Sequence, residues 1–137
     1  MINCICESKQ IVLKAANKTG GLTAIASTLA DKGINVMAVA GYPISGTGDC
    51  EVLLVTDNNS AAMEALKAGG CKDICENDVI IADCENKPGI LKAFAEKLSG
   101  NGIDLKLIYG TAPSNAPSAA LVFIPDNIQK ALTVLKD

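Results

Sequence analysis

Apolar positions recur along the chain in two rhythms. "QIVLKAA" (residues 10–16) and "DVIIADC" (78–84) are short runs rich in branched residues and read as strands. After each, the spacing changes: Leu22, Ile25, Ala26 and Leu29 keep the i, i+3, i+4, i+7 stripe of a helix with one buried face, and Leu91, Phe94, Ala95 and Leu98 keep it again. Gly33 and Gly102 follow where a helix end takes a left-handed residue. "INVMAVAGY" (34–42) and "IDLKLIYGT" (103–111) then read as strands, the second alternating Ile103, Leu105, Leu107 and Tyr109 against Asp104, Lys106 and Ile108. Turn-rich "SGTGD" and "APSNAPS" lead to the strands "EVLLV" and "ALVFI". Asp57 and Asp126 are the expected N-caps of a second helix in each series, with Gln129 placed as in a capping box.

The two series are one unit written twice. With Asn17 set on Asn86, a shift of 69 residues, Lys18 meets Lys87, Gly20 meets Gly89, Leu22 meets Leu91 and Gly33-Ile34 meets Gly102-Ile103 without a gap. Gly41 then meets Gly110, Asp57-Asn58 meets Asp126-Asn127, and "ICE" at 5–7 returns at 74–76. One register kept over a whole unit is the mark of a duplication. The expected division is 1–69 and 70–137.

Strand, helix, strand, strand, helix is a split βαβ, so the predicted class is α+β. It is two ferredoxin-like sandwiches, each an antiparallel sheet with its helices on one face. The strands "INCIC" (2–6) and "CKDIC" (71–75) fit two wirings. Each can turn through "ESK" or "END" and pair with the strand that follows it, giving ββαββα twice. In the other wiring, 71–75 completes the first copy while 2–6 crosses to complete the second. We take the local hairpin as the expectation and leave the exchange open.

Composition narrows the function. Of 137 residues 49% are hydrophobic, yet no apolar stretch reaches the roughly 18–20 residues of a membrane span. The start "MINCICESKQ" lacks a basic segment followed by an apolar run, so the cytoplasm is expected and a membrane partner is not. There is no His, and all 12 basic residues are Lys. The commonest general base and the bidentate guanidinium fork are thus both missing. A net charge of −3 argues against a nucleic-acid partner, because neutralising phosphates needs a basic patch. Carboxylates are scattered, with no His beside any Ser or Cys, and no enzyme activity or cofactor is expected.

The turns "ANKTGGL" (16–22) and "ENKPGIL" (85–91) stand between strand and helix. A helix start presents unpaired N–H groups that suit a small anion such as an amino acid's carboxylate. Glycine lets a ligand approach the backbone and permits unusual dihedrals, while Pro88 fixes φ near the helix start. Pro-Gly before a helix is also ordinary turn chemistry.

"CENKPGILKAFAEKLSGNGIDLKLIYGT" followed by "LVFIPDNIQKALTVLK" resembles an ACT domain, and "ANKTGGLTAIASTLADKGINVMAVAG" resembles a second, so the likeness covers almost the whole chain. The strand before each copy is similar to the paired ACT arrangement of aspartokinases. Copy one departs from the pattern at Thr19, where Pro is favoured, and at Gly21, where an aliphatic residue is favoured. The resemblance implies an amino-acid-binding regulatory protein with sites at a seam between modules. One module supplies the turn and the start of the strand after its first helix, and the neighbour supplies a strand edge. The implied residues are Asn86, Pro88, Gly89, Ile90, Leu91 and Asp104 in copy two, and Asn17, Gly20, Gly21, Leu22 and Asn35 in copy one. Asp104 and Asn35 would receive the ligand's amino group.

The strand after the first helix carries no charge in "VMAVAGY" and only Lys106 in "LKLIYG". Edges this apolar invite association unless covered, and joining two would make one sheet edge to edge. "VLLV" and "LVFI" are apolar on both faces, which points to a second chain in a homodimer. An alternative role is a detached regulatory subunit of an amino-acid biosynthetic enzyme such as acetolactate synthase. A metal or redox role for the six Cys is the weaker rival: neither C-x-C nor C-x-x-x-C is the tight zinc knuckle, and no four-ligand set is duplicated.

Overall fold

The computed structural model describes residues 2–136. Ten elements follow in the order β1 (Ile2–Ala16), α1 (Gly21–Asp31), β2 (Val36–Pro43), β3 (Asp49–Thr56), α2 (Asn59–Ala68), β4 (Ile74–Glu85), α3 (Ile90–Ser99), β5 (Leu105–Thr111), β6 (Ser118–Pro125) and α4 (Ile128–Lys136). The chain divides into two compact units, Lys9–Asn77 and Met1–Ser8 with Asp78–Asp137.

In the unit Lys9–Asn77, β3 lies between β2 and the second half of β1, antiparallel to both, with Leu54 opposite Ile11 on one side and Val39 on the other. The last stretch of the unit completes the sheet: Lys14 N donates to Asp73 O at 3.0 Å. This is the ferredoxin-like βαββαβ order. Ile11, Leu13, Val52 and Leu54 point to one face and form a core with Ile25 and Leu29 of α1 and Ala62 and Leu66 of α2. Ile74 and Cys71 pack against it.

The unit made of Met1–Ser8 and Asp78–Asp137 repeats this plan with its fourth strand drawn from the chain's start. β6 lies between β4 and β5, with Phe123 opposite Ile80 and Ile108. Ile80, Ala82 and Cys84 meet Phe94 and Leu98 of α3, Phe123 of β6, and Leu132 and Leu135 of α4. Ile2 and Ile5 pack on this core, not on the core of the copy that they open. Phe94 and Phe123 meet edge to face, 4.9 Å between centroids at 76°.

The expected local hairpins are therefore not formed; the exchange is. β1 runs through Glu7, Ser8 and Lys9, and β4 through Glu76, Asn77 and Asp78, without interruption. The reason lies in the residues. Tight hairpin turns need positive φ, usually from Gly or Asn-Gly, and neither "ESK" nor "END" contains glycine or a positive-φ residue.

Helix boundaries follow the pattern with one shift. Gly33 and Gly102 are left-handed at φ +69° and +68°, and Ile34 N and Ile103 N reach back to Leu29 O and Leu98 O, each at 3.0 Å. The second helices are capped one residue later than expected. Asn58 Oδ1 accepts from Ala61 N at 3.1 Å, and Asn127 Oδ1 accepts from Lys130 N at 3.0 Å. Asp57 instead accepts from Asn35 N, and Gln129 donates to Glu7 Oε2 rather than closing a capping box. In β5 a register shift between Leu105 and Leu107 interrupts the clean alternation.

On the sheet of the unit Lys9–Asn77, Leu53 and Val55 retain only 3% and 1% exposure. Exposed apolar side chains stand on β2, where Met37 and Val39 keep 58% and 54% exposure, and on β5, where Leu105 and Ile108 keep 36% and 39%. Among the described residues no helix is long and apolar enough to cross a membrane.

Candidate functional site

In the unit Lys9–Asn77, β1 ends at Ala16 and the chain turns into α1 over four residues. Asn17 N donates to Gly48 O at 3.0 Å, which ties the turn to the loop before β3. Lys18 N donates back to Ala16 O at 2.9 Å, and Gly21 N to Lys18 O at 3.2 Å. Gly20 is left-handed at φ +87°, with nothing within 4 Å of where a Cβ would stand. Backbone conformation, not close packing, demands glycine there. The first helical bond is Ala24 N to Gly20 O, so the N–H groups of Leu22 and Thr23 open the helix without a partner one turn back.

Beside this turn lies a hollow of about 370 Å³. Its floor is apolar: Ala15 of β1, Ile25 of α1, Val39 and Ala40 of β2, and Cys50 and Val52 of β3. Asn17, Lys18 and Tyr42 stand on its rim, beside Gly21 and Leu22. Tyr42 donates its hydroxyl to Glu51 Oε2 at 2.9 Å, and that bond to a carboxylate raises its pKa. The Asn17 and Lys18 side chains meet no partner among the described residues.

The turn of the other unit has the same backbone and a different set of commitments. Gly89 is left-handed at φ +91°, and Ala93 N bonds Gly89 O at 3.0 Å. Asn86 is held twice, its N–H to Pro117 O at 3.2 Å and its Nδ2 to Ala116 O at 2.9 Å. Lys87 Nζ lies 2.8 Å from Glu85 Oε2, and this contact lowers the Glu85 pKa. Pro88 is exposed, Leu91 is 61% exposed, and Ile90 lines a separate cleft of about 220 Å³ between α3, α4 and Ile2.

The sequence-derived residues thus fall into two groups. Asn17, Gly20, Gly21 and Leu22 form one turn, and Asn86, Pro88, Gly89, Ile90 and Leu91 the other. Asn35 and Asp104 are not brought to them. The Asn17 turn sits at the start of β3, whereas Asn35 exchanges bonds with Asp57 at its end, N to Oδ1 at 3.0 Å and O from Asp57 N at 3.1 Å. Asp104 likewise accepts from Asp126 N at the end of β6, while Asn86 meets its start. A helix running antiparallel to its strand delivers the chain to the far end of the sheet, a strand's length of roughly 25 Å away. One module therefore does not supply both the turn and the strand start to a single ligand.

Sequence reasoning missed the floor of the hollow. Ala15, Ala40 and Val52 are unremarkable strand residues until the fold gathers them. Their repeat counterparts Cys84, Tyr109 and Leu121 are all larger, and that size difference is the signal the 69-residue shift carried. The six cysteines are free and do not gather, and no group of three or more metal-ligating side chains occurs among the described residues. Burial pushes the Cys84 and Cys71 thiols up.

The architecture has counterparts among solved structures. Protein BT0572 from Bacteroides thetaiotaomicron superposes with a TM-score of 0.87 at 27% identity, over 96% of this chain and 88% of that one. The regulatory subunit of aspartate kinase from Thermus thermophilus, in its ligand-free form, superposes with a TM-score of 0.70 at 16% identity, over 98% and 96% of the two chains. The fold is ACT-like, that of an aspartate kinase regulatory subunit. Aspartate kinase from Clostridium acetobutylicum contains it too: the match covers 97% of this chain and 34% of that one, at 14% identity and a TM-score of 0.60. The chain matches no family model and no curated protein.

Proposed function

We propose that this chain is a cytoplasmic, non-catalytic regulatory protein that binds an amino acid beside its strand-to-helix turn. The observation that carries this reading is the hollow of about 370 Å³ at the Asn17–Leu22 turn, within the roughly 300–1,000 Å³ range of ligand pockets. A carboxylate suits the open N–H groups of the helix start and the nearby lysine, and the apolar floor suits a side chain. The shared fold with aspartate kinase regulatory subunits supports a regulatory rather than a catalytic use.

The ligand acts by being covered. β2 is an outer strand; Leu22 and Val39 leave apolar surface at the hollow, and Met37 adds to it towards the start of the strand. A second copy of the chain laid along this edge would seal the site, so occupancy would change the free energy of the paired state relative to the unpaired one. Asn35 of the second copy, displaced from the turn within its own unit, could then approach a neighbour's turn.

Thermal unfolding against each of the twenty amino acids at millimolar concentration tests the reading. A ligand at a hundred times its dissociation constant stabilises by about 2.7 kcal/mol, a rise of several degrees in Tm. A rise with one or two related amino acids is expected; no rise with any of them sinks the proposal.

A second reading is a detached regulatory subunit of an amino-acid biosynthetic enzyme such as aspartate kinase or acetolactate synthase. It is favoured by the match that covers only 34% of an aspartate kinase chain, where the same fold is one part of a larger enzyme. Co-purification of a larger enzyme with the tagged chain would support it.

A further inference from the structure

The duplication produced two turns with one backbone, and the turn at Asn17–Leu22 stands beside an open hollow with uncommitted polar side chains on its rim. Resting on the amino-acid-binding reading above, we infer that each chain has a single ligand site, in the unit Lys9–Asn77, and that it takes an α-amino acid with a compact apolar side chain.

The first argument is space. Across the repeat, five lining residues of the hollow have larger counterparts, Cys84 for Ala15, Ile90 for Gly21, Phe94 for Ile25, Tyr109 for Ala40 and Leu121 for Val52, against three with smaller ones, Thr111 for Tyr42, Ala112 for Pro43 and Ala119 for Cys50. The fold shows the added bulk occupying the equivalent region. A Cβ on Gly110 would lie 2.5 Å from Leu121 Cδ2, whereas one on Gly41, its counterpart, meets nothing nearer than Glu51 O at 3.7 Å. Phe94 is 2% exposed and locked against Phe123. In the unit with Asp78–Asp137, Leu121 thus lies over Gly110, where the other unit leaves space over Gly41.

The second argument is charge and hydrogen bonding. Lys87 is neutralised by Glu85 at 2.8 Å, and Asn86 spends its amide on Ala116 O. In the other copy Ala16 stands in place of Glu85, which leaves Lys18 without a carboxylate among the described residues and Asn17 without a side-chain bond. A ligand carboxylate would meet the Lys18 ammonium and the opening N–H groups of α1, and the Asn17 carbonyl oxygen would accept from its ammonium. The remainder of the ligand would face Ile25, Val39 and Val52, which offer no polar partner. With the second copy in place over the hollow, a charged or amide side chain would be buried there unpaired, and that penalty selects valine, leucine or isoleucine over aspartate or lysine.

The test is titration calorimetry of the full chain with L-valine, L-leucine and L-isoleucine, and with L-aspartate and L-lysine for comparison. One equivalent per chain of a branched amino acid is expected. Lys18→Gln should weaken binding about tenfold or more by removing a charge-assisted bond, and Lys87→Gln should leave it unchanged. Gly21→Ile, which carries the other copy's residue into the hollow, should abolish binding. Because that variant could disturb the turn, the exposed Lys18 and Lys87 pair decides independently. Two equivalents per chain, equal sensitivity to Lys87→Gln, or tighter binding of aspartate or lysine would overturn this inference while sparing the broader reading. No heat with any amino acid, together with no thermal shift among the twenty, would overturn both.

Discussion

The two turns differ in what their neighbours do with the same backbone. At Gly20 and Gly89 the chain takes one left-handed step, +87° and +91°, into helices with the same stripe. Around Gly89 an ion pair, an amide bond and three large side chains complete the structure from within. Around Gly20 the equivalents are alanine, a lysine without a partner among the described residues, and a hollow. After a duplication, a fold needs its core twice but a site only once. Under the single-site inference, bulk and internal pairing in one copy belong to the part kept for stability, and small residues with unspent polar groups in the other to the part free for a ligand.

The largest effect that would break this comparison comes from the cores. Phe94→Ala removes a buried ring from its partner Phe123 and should cost about 3–5 kcal/mol. Ile25→Ala, at the counterpart position, faces a hollow already present and should cost nearer 2 kcal/mol, the low end for such truncations. Urea denaturation of both variants checks it; equal losses would mean that the two cores are packed alike.

Glycine replacements give the next contrast. Gly110→Ala drives a methyl group into Leu121 and within 2.6 Å of Ala120 O, and should destabilise by about 1–3 kcal/mol. Gly41→Ala has room and should be neutral or stabilise by about 0.4–1 kcal/mol through the unfolded chain. Similar midpoints for the two variants would contradict the filled-versus-open distinction.

Tyr109 gives a smaller, pH-dependent signature. Burial pushes its phenol up to about 12, from an ordinary value of 10.0. Between these values the unfolded chain has lost the proton that the folded chain keeps, so unfolding is favoured as pH rises through this window, and the stabilisation is fully present below it. Tyr109→Phe should flatten the alkaline loss of Tm between about pH 10 and 12. An unchanged slope would mean that Tyr109 is not the group responsible. The smallest effect is at the surface. Glu85→Gln breaks an exposed pair and should leave Tm unchanged within error, because solvent screens such contacts. A clear drop would show that the pair holds the turn in place.

The repeat, the helix stripes, the left-handed glycines at 33 and 102 and the two strand-to-helix turns were legible because each rests on local rules of spacing and backbone freedom. The caps slipped by one residue because Asp57-Asn58 and Asp126-Asn127 offer two competent caps in a row, and the bond from Asn35 N claimed the aspartate in the first copy. A short alternating strand has the same pattern whichever partner it takes, so Ile2–Cys6 and Ile74–Cys75 did not declare their sheets. The turn-like segments "ESK" and "END" carried the relevant sign in what they lack, a glycine. The distance between Asn35 and the Asn17 turn followed from the helix running back along its strand, a fact of packing and not of spacing.

The sequence by itself determined that this protein is one βαββα unit used twice, with glycine turns fixed by backbone conformation. Only the tertiary structure decided which strands complete which unit, and that Ala15, Ala40 and Val52, on three separate strands, share a wall. Non-local pairing and cavity volume depend on which residues meet across the sheet, and that information exists only once the chain has closed on itself.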